Sequence, residues 1–304
     1  VQATIVGIYK FSLCLRAHFS ESNDRQAGLL ILQRSGYNGV MDKSMLRIRR
    51  RHLGKADLHI HSNFSDGKPT IEEILDYIEN KTNLDVIAIT DHDTIDGALF
   101  AKQIMEKKKY RFELVIGEEI STKEGHLLGL FLDKAIPAKT DLHEAIREIK
   151  KQGGMAIVPH AFQRTRMNNG KHVTMDGIGT INLIKEKRLI DGVEVINATP
   201  TLDDENMRAA IINSTLVLQA EIGDSDAHIL EAIGKAYTVF EGKTVEDLRM
   251  AIKKNQTKAL NEEWTLLALL KYLFFFIPIG FRMFWYTMIH GIVRPTRRIT
   301  SSSE

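Results

Sequence analysis

His59 and His61 stand two positions apart, and Asp66 follows five residues later in a polar, glycine-containing stretch. Residues 55–60 are typical of a short strand, and the stretch after them is typical of a loop. Because side chains alternate along a strand, residues two apart share one face. Both imidazoles can therefore point to one place where the strand ends. Imidazole is the commonest metal-binding side chain, and a nearby carboxylate completes a mixed nitrogen and oxygen site.

Short apolar runs typical of buried strands recur along the chain, at 85–90, 113–116, 155–158, 193–196 and 216–220. Helices are predicted between them, because Thr70, Asp141 and Thr244 each precede an acidic residue by three positions, as in a capping box. The helix after Asp141 should end at the glycine pair 153–154. Strands that alternate with helices predict a parallel sheet or a β/α barrel.

Metal-binding residue types follow these strands, and six of the eleven histidines lie at such junctions: His59, His61, His92, His126, His160 and His228. His126 opens its own apolar run, and a tight hairpin would place it near Glu119, at the end of the preceding strand. In a parallel barrel the carboxyl ends of the strands converge on one face. The sequence therefore predicts a metal centre on that face.

The number of candidate ligands indicates how many ions the centre holds. Five or six imidazoles together with Asp66, Glu119 and Asp226 exceed the three or four protein ligands that one zinc ion usually takes. Two or three divalent ions can share such a set, with a carboxylate bridging them. Nitrogen and oxygen ligands without thiolate suit zinc, manganese or iron, and the sequence does not choose among the three.

Taken in order, five motifs resemble the PHP (polymerase and histidinol phosphatase) family: residues 57–67, 89–93, 117–121, 159–160 and 223–228. The resemblance covers about residues 55–255. It implies a distorted seven-stranded β/α barrel with a two- or three-metal site, and phosphoester hydrolysis as the reaction. The spacing is most similar to the stand-alone bacterial phosphoesterases that act on nucleotides.

The resemblance also implies the ligand set, with Glu119 as the bridging carboxylate: His59, His61, Asp66, His92, Glu119, His160, Asp226 and His228. Asp91, Asp93 and His126 are candidates for the group that protonates the leaving oxygen, and Asp91 and His126 are taken as catalytic. Related proteins often have an arginine just after the Pro-His motif. Here Arg164 or Arg166 can bind phosphate, and Asn197, at the end of the 193–196 strand, is assigned to the substrate.

The expected reaction is attack on phosphorus by a hydroxide that the metal ions activate near neutral pH. A nucleotide is the expected substrate. The alternatives are an exonuclease for short oligonucleotides, a metal hydrolase of carbon–nitrogen bonds and a metal-binding module without activity. Hydrolases of carbon–nitrogen bonds usually have a single late aspartate and a lysine at the end of a strand. The pair Asp226 and His228 and the bridging-type Glu119 argue against that class.

Overall composition limits the partners and the compartment. The 304 residues carry a net charge of +2, which gives no support to a stable nucleic-acid partner. The single cysteine, Cys14, cannot form an intrachain disulfide, so a cytoplasmic location is expected. Residues 53–258 are assigned to the metal-dependent domain. Residues 1–52 are interpreted as a poorly structured leader from an extended gene start, with Met41 as the initiator.

The remaining segment, 259–304, is unusually apolar. Between Trp264 and Val293 the only formally charged residues are Lys271 and Arg282, and three arginines follow directly. A spanning helix needs about 20 apolar residues, and Lys271 and Pro278 interrupt the run. The segment is therefore expected to attach the protein to the inner face of a membrane through residues 264–298. Packing against the barrel or a partner subunit, and a true span, are the alternatives.

Overall fold

The computed structural model describes residues 53–163, 166–168 and 173–277. The predicted leader 1–52, Arg164 and the end of the apolar segment lie outside the described residues. Among the residues within these ranges, no helix is both long enough and apolar enough to cross a membrane.

Strands and helices alternate along most of the described chain. The strands are β1 (Leu53–Asp57), β2 (Val86–Ile89), β3 (Glu113–Ser121), β4 (His126–Leu130), β5 (Met155–Val158), β6 (Arg166–Asn168), β7 (Val173–Met175), β8 (Gly192–Asn197), β9 (Ala220–Asp224), β10 (Ala236–Glu241) and β11 (Lys258–Asn261). The helices are α1 (Ile71–Lys81), α2 (Asp96–Lys107), α3 (Leu142–Lys151), α4 (Gly179–Glu186), α5 (Asp203–Ile212), α6 (Val245–Lys253) and α7 (266–277).

Nine of these strands form one sheet in the order β11-β10-β1-β2-β3-β4-β5-β8-β9. Two parallel blocks, β1-β2-β3 and β5-β8-β9, are joined through the antiparallel strand β4. The sheet nearly closes on itself, because the Thr238 hydroxyl in β10 donates to the Gly223 carbonyl and accepts from the Gly223 amide, both at 3.0 Å. A barrel-like α/β fold is confirmed, whereas the expected count of seven strands is not.

The helices pack on the sheet through one apolar face each. In α1 the buried side chains are Ile71, Ile74, Leu75 and Ile78, a spacing that places them on one stripe. The predicted capping boxes at Thr70 and Thr244 are confirmed. At the start of α3 the Asp141 side chain accepts from the His143 amide and the Glu124 carboxylate accepts from the Leu142 amide, so the capping box predicted with Glu144 is not formed.

The predicted strand over 216–220 is wrong. Asn213–Val217 form a π-helical turn, and Leu218 takes a left-handed conformation with φ of 62°. The Asn213 side chain closes the turn, donating to the Gln219 carbonyl at 2.9 Å and accepting from the Gln219 amide at 3.1 Å. Leu216 and Leu218 point to solvent, and the strand begins only at Ala220. Most of the apolar run therefore belongs to the turn that Asn213 closes, and only Ala220 lies in the strand.

Thr70 fixes the start of α1, directly after the loop that carries Asp66. Its hydroxyl accepts from the Glu73 amide at 3.3 Å, and its own amide donates to the Glu73 carboxylate at 2.9 Å. Replacing Thr70 with alanine is expected to lower the free energy of unfolding by about 1 kcal/mol, whereas serine should preserve it. Urea denaturation of the two variants measures the difference. Equal stabilities would show that the cap contributes nothing.

Candidate metal centre

Backbone hydrogen bonds hold the chain between β1 and α1 rigidly where it passes the end of the sheet. The Ile60 amide donates to the Thr90 hydroxyl at 3.1 Å, and the His61 amide donates to the Ala227 carbonyl at 2.9 Å. His59 and His61 lie on either side of Ile60 and are fully buried. The shared orientation expected from their spacing is therefore present at this position.

Glu119, near the end of β3, lies at the middle of the centre and is buried. Imidazole nitrogens approach both of its carboxylate oxygens: Oε2 lies 3.0 Å from His59 Nε2, 3.1 Å from His61 Nε2 and 3.4 Å from His92 Nδ1, and Oε1 lies 2.8 Å from His126 Nδ1 and 3.0 Å from His160 Nε2. A carboxylate whose two oxygens face separate sets of imidazoles has the geometry of a bridging ligand.

Asp226 and Asp66 extend the cluster from β9 and from the loop after β1. Asp226 Oδ1 lies 3.3 Å from His61 Nε2 and 3.6 Å from His59 Nε2. Asp66 Oδ1 lies 3.3 Å from His228 Nε2. The Asp66 side chain is 55% exposed, so this end of the cluster faces solvent. The structure thus brings together all eight side chains predicted as ligands, together with His126, which the hairpin predicted near Glu119.

The cluster has the donor set and the unsatisfied atoms that divalent ions require. Four overlapping groups of three or four side chains have their ligand atoms within 4.8 Å of one another. Buried imidazole nitrogens without a hydrogen-bond partner lie in these groups: His59 Nδ1, His61 Nδ1, His61 Nε2, His92 Nδ1, His126 Nδ1 and His160 Nδ1. Several of them are close to Glu119 but lack hydrogen-bond geometry. Because unpaired buried polar atoms are costly, the residues fit bound divalent metal ions.

Charges within the centre keep its acids ionised. Burial opposes ionisation of Glu119 and Asp226, but the surrounding imidazoles hold the pKa of each carboxyl well below its ordinary value. Burial likewise opposes protonation of His61, but Asp226 and Glu119 raise its pKa to about 10. Metal ligation needs neutral imidazole, so ions and protons compete for the same nitrogens.

Three residues of the centre have a positive φ, which is uncommon outside glycine: Asp93 (56°), His160 (22°) and Asp226 (51°). Hydrogen bonds hold these strained positions. The His160 amide donates to the Glu194 carboxylate at 2.5 Å, and the Asp93 amide donates to the Glu119 carbonyl at 3.0 Å. Strained backbone of this kind clusters at functional sites, where the surrounding structure maintains it.

Asp91 lies beside the cluster and binds the loop that carries Asp66. Its Oδ1 accepts from the Ser62 amide at 2.7 Å and from the Ser65 hydroxyl at 2.6 Å, and its Oδ2 accepts from the Ser62 hydroxyl at 2.7 Å. These contacts occupy both oxygens of a buried carboxylate. They favour a positioning role, and the assignment of Asp91 as a catalytic acid stays a prediction.

The two roles of Asp91 predict different kinetics. If the residue positions the loop, Asp91→Asn weakens the ion site at Asp66, and the metal concentration for half-maximal activity should rise about 10- to 100-fold. Saturating metal should then restore kcat. If Asp91 donates a proton, kcat falls at saturating metal and the alkaline limb of the pH–rate profile disappears. Metal titrations of activity, repeated across pH, distinguish the two outcomes.

Asn197, assigned to the substrate from the sequence, is buried behind Asp226. Its Nδ2 donates to Asp226 Oδ2 at 3.2 Å and to Glu194 Oε1 at 3.1 Å, and its Oδ1 accepts from the Thr199 amide at 2.8 Å. These contacts orient Asp226, and a substrate contact of Asn197 stays a prediction. Arg164 lies outside the described residues, and for Arg166 the backbone alone is described.

Three buried carboxylates beneath the metal centre were not predicted from the sequence. Glu194 in β8 accepts from the His160 amide, and Asp224 accepts from the Leu58 amide at 2.8 Å. Asp57 accepts from the Ser225 amide at 3.0 Å and from the Gly234 amide at 2.8 Å. Burial raises the pKa of Asp57 to about 6. The signal that could have identified these three carboxylates is an acidic residue within a predicted buried strand, such as Glu194 between Val193 and Val195.

A cavity of about 520 Å³ opens beside the centre. Lys68, Ile229, Lys271, Phe274 and Phe275 line it. Its lining lies next to His228, because the Phe275 ring is 6.2 Å from the His228 ring and the Lys68 amide donates to the His228 carbonyl at 2.9 Å. The lining also includes Glu73 and Glu231, so it combines apolar side chains with charges of both signs, and its volume is typical of small-molecule sites.

Parts of this chain are similar in sequence to known proteins. The PHP-associated family matches residues 203–257. An uncharacterized protein of Methanocaldococcus jannaschii is 40% identical over 154 residues, which cover 47% of this chain and 82% of that protein. The 3',5'-nucleoside bisphosphate phosphatase of Chromobacterium violaceum is 33% identical over 100 residues, which cover 32% of this chain and 34% of that enzyme.

Solved structures show the same fold. A two-domain protein from Bacteroides vulgatus, which contains a predicted PHP-like metal-dependent phosphoesterase, superimposes with a TM-score of 0.54 at 22% identity. The superposition covers 69% of this chain and 65% of that one. At this level of identity the similarity is one of fold.

Proposed function

The chain belongs to the PHP family of metal-dependent phosphoesterases, and we propose that it hydrolyses a phosphoester bond in a small phosphorylated molecule, namely a nucleotide. The observation that carries the proposal is the set of five imidazoles around the two oxygens of Glu119. This arrangement, with the buried nitrogens that have no other partner, has the composition of a site for two or three divalent ions.

Asp66 forms the solvent-exposed end of an otherwise buried cluster, beside His92 and His228. Glu119 and Asp226 supply the anionic charge that holds cations together, and Asp66 offers a ligand at the solvent side. Divalent ions bound there would lower the pKa of bound water and neutralise the non-bridging phosphate oxygens. Asn197 and Glu194 keep Asp226 and His160 in place, so that the ligands need no rearrangement when the substrate arrives.

The cavity beside His228 supports a nucleotide as the substrate. The Phe274 and Phe275 rings offer surfaces for a planar base, and base–aromatic stacking is worth about 1–3 kcal/mol. Lys68 offers positive charge for a second anionic group, whereas Lys271 is paired with Glu231 in the same wall. The relative that hydrolyses nucleoside bisphosphates agrees with this choice.

Purified protein loaded with zinc, manganese or iron and assayed against a panel of phosphoesters tests the proposal. The panel should hold nucleoside mono- and bisphosphates, sugar phosphates, a phosphodiester and short oligonucleotides. We expect the highest kcat/KM for a nucleotide. Preference for the oligonucleotides would instead favour the exonuclease, and no turnover with any metal would leave a metal-binding module.

A further inference from the structure

Helix α7 (266–277) is fixed to the barrel by one of its faces. Ala268 and Tyr272 are buried, and Phe275 and Phe276 are half-buried against the core around α1 and β10. Just before the helix, the Trp264 indole donates to the Ala198 carbonyl at 3.0 Å and lies 5.2 Å from the Tyr272 ring. The orientation of the helix on the barrel is therefore determined by specific contacts.

The opposite face of α7 presents large apolar side chains to solvent. Leu266, Leu270, Leu273 and Ile277 are spaced by four, three and four residues, so they form one stripe along the helix. They are 74%, 42%, 49% and 58% exposed. Leu267 and Phe274 widen the stripe. Six large apolar side chains within twelve residues form a patch of the kind that marks an interaction site.

The charges in the sequence of this segment indicate the chemistry of the partner of the patch. From Trp264 to Ser303 the sequence has no aspartate or glutamate, but it has five basic residues: Lys271, Arg282, Arg294, Arg297 and Arg298. The whole chain carries only +2, so this segment is far more cationic than the rest. Lys271 is paired with Glu231, and Glu262 and Glu263 precede Trp264, so the excess positive charge comes from the four arginines that follow α7 in the sequence. An exposed apolar stripe followed by a basic sequence fits an anionic lipid surface, where each basic residue adds to the attraction.

We infer that α7 docks this protein on an anionic membrane surface through the stripe of Leu266, Leu270, Leu273 and Ile277. The helix lies in the plane of the interface, with its other face still packed on the barrel. Because Phe275 and Phe276 contact the His228 ring from that packed face, the metal centre is held close to the lipid surface. The inference does not depend on which phosphoester the protein hydrolyses.

Vesicle co-sedimentation of the full chain tests the docking surface. The probes are vesicles of phosphatidylcholine alone and of phosphatidylcholine with about one-third phosphatidylglycerol. The test variant is L266Q/L270Q/L273Q, which replaces exposed leucines by a residue that retains helix propensity. The matched control is I181Q/M207Q/I211Q, which replaces equally many exposed apolar residues on α4 and α5. Circular dichroism and metal content establish that both variants are folded.

We expect the unmodified chain and the control to bind the anionic vesicles, and the test variant to bind at least tenfold more weakly. Raising the salt concentration to about 1 M should weaken binding further, because the Debye length falls to about 3 Å. Equal binding by both variants, or no binding to anionic vesicles, would overturn the inference. So would dimers of the unmodified chain in light scattering that the test variant alone abolishes, because a second copy would then cover the stripe.

Discussion

Replacing Glu119 with glutamine is expected to lower kcat for phosphoester hydrolysis about a thousandfold or more. Both oxygens of this carboxylate face imidazoles, so the amide removes one anionic bridge and places an NH2 group where a cation should bind. Metal ions contribute several kcal/mol of transition-state stabilisation, and each 1.36 kcal/mol corresponds to a tenfold change in rate. Kinetics with a nucleotide substrate, combined with metal analysis of the purified variant, measures both consequences.

The neighbouring Glu118 provides a matched control on the opposite side of β3. Its buried carboxyl accepts from the Ile136 amide at 2.8 Å, and none of the eight predicted ligands is its ion-pair or hydrogen-bond partner in the described part of the chain. Burial raises its pKa to about 7, so a neutral amide replaces a group that already carries a proton for much of the time near neutral pH. Glu118→Gln should therefore retain metal content and most of kcat. Full metal content and nearly unchanged kcat in Glu119→Gln would contradict the bridging role.

The residues of the metal centre could be predicted because side chains at the carboxyl ends of parallel strands lie close together in the folded sheet. His59, His92, Glu119 and His160 lie far apart in the chain, yet each follows or ends a strand, and such ends meet on one face. His126 was placed near Glu119 from the hairpin alone, and Ser121 indeed pairs with His126 in β3-β4. The rule needs only the positions of the strands, which the apolar runs supplied.

The buried carboxylates beneath the metal centre could not be predicted from the rule that strand ends meet on one face. Glu194 and Asp224 lie within β8 and β9. In the sequence, an acidic residue at such a position indicates an interruption of a buried strand rather than a functional site. Their partners, the amides of His160 and Leu58, are 34 and 166 positions away, so only the folded chain shows why the charges are tolerated. The strand expected at 216–220 failed for a local reason, because the side chain of Asn213 closes a turn there.

The contact between α7 and the metal centre is another feature that periodicity could not specify. The sequence indicated an apolar segment and left three environments open for it. In the structure Tyr272 and Phe276 pack on the core while Leu266 and Leu273 face solvent, so the two faces of the helix lie in different environments. The packed face also includes a contact between residues 66 positions apart, in which the Trp264 indole donates to the Ala198 carbonyl.

Removal of bound metal by a chelator is expected to abolish turnover and to lower the melting temperature. Ions that bind the folded state stabilise it by about 2.7 kcal/mol per site at 100 times the dissociation constant. For a domain of this size, 1 kcal/mol shifts Tm by about 2–4 °C, so each site lost should cost about 5–10 °C. Calorimetry before and after chelation measures the shift, and readdition of zinc or manganese should reverse it.

The pH dependence of that shift follows from the pKa of His61. In the metal-free protein Asp226 and Glu119 raise this pKa from 6.5 to about 10, so protonated His61 stabilises the fold below about pH 6.5. That contribution is lost progressively as the pH rises toward 10. Metal ions bind neutral imidazole, so their contribution grows over the same range.

The Tm difference between the metal-loaded and metal-free forms should therefore be smallest near pH 6.5 and should widen toward pH 9. Glu119→Gln removes one of the two acids that raise the pKa of His61 and one bridging ligand, so both the difference and its pH dependence should be smaller in this variant. A Tm that is independent of chelation at pH 8, in protein shown by analysis to lose its metal, would mean that the imidazole cluster is stable without ions.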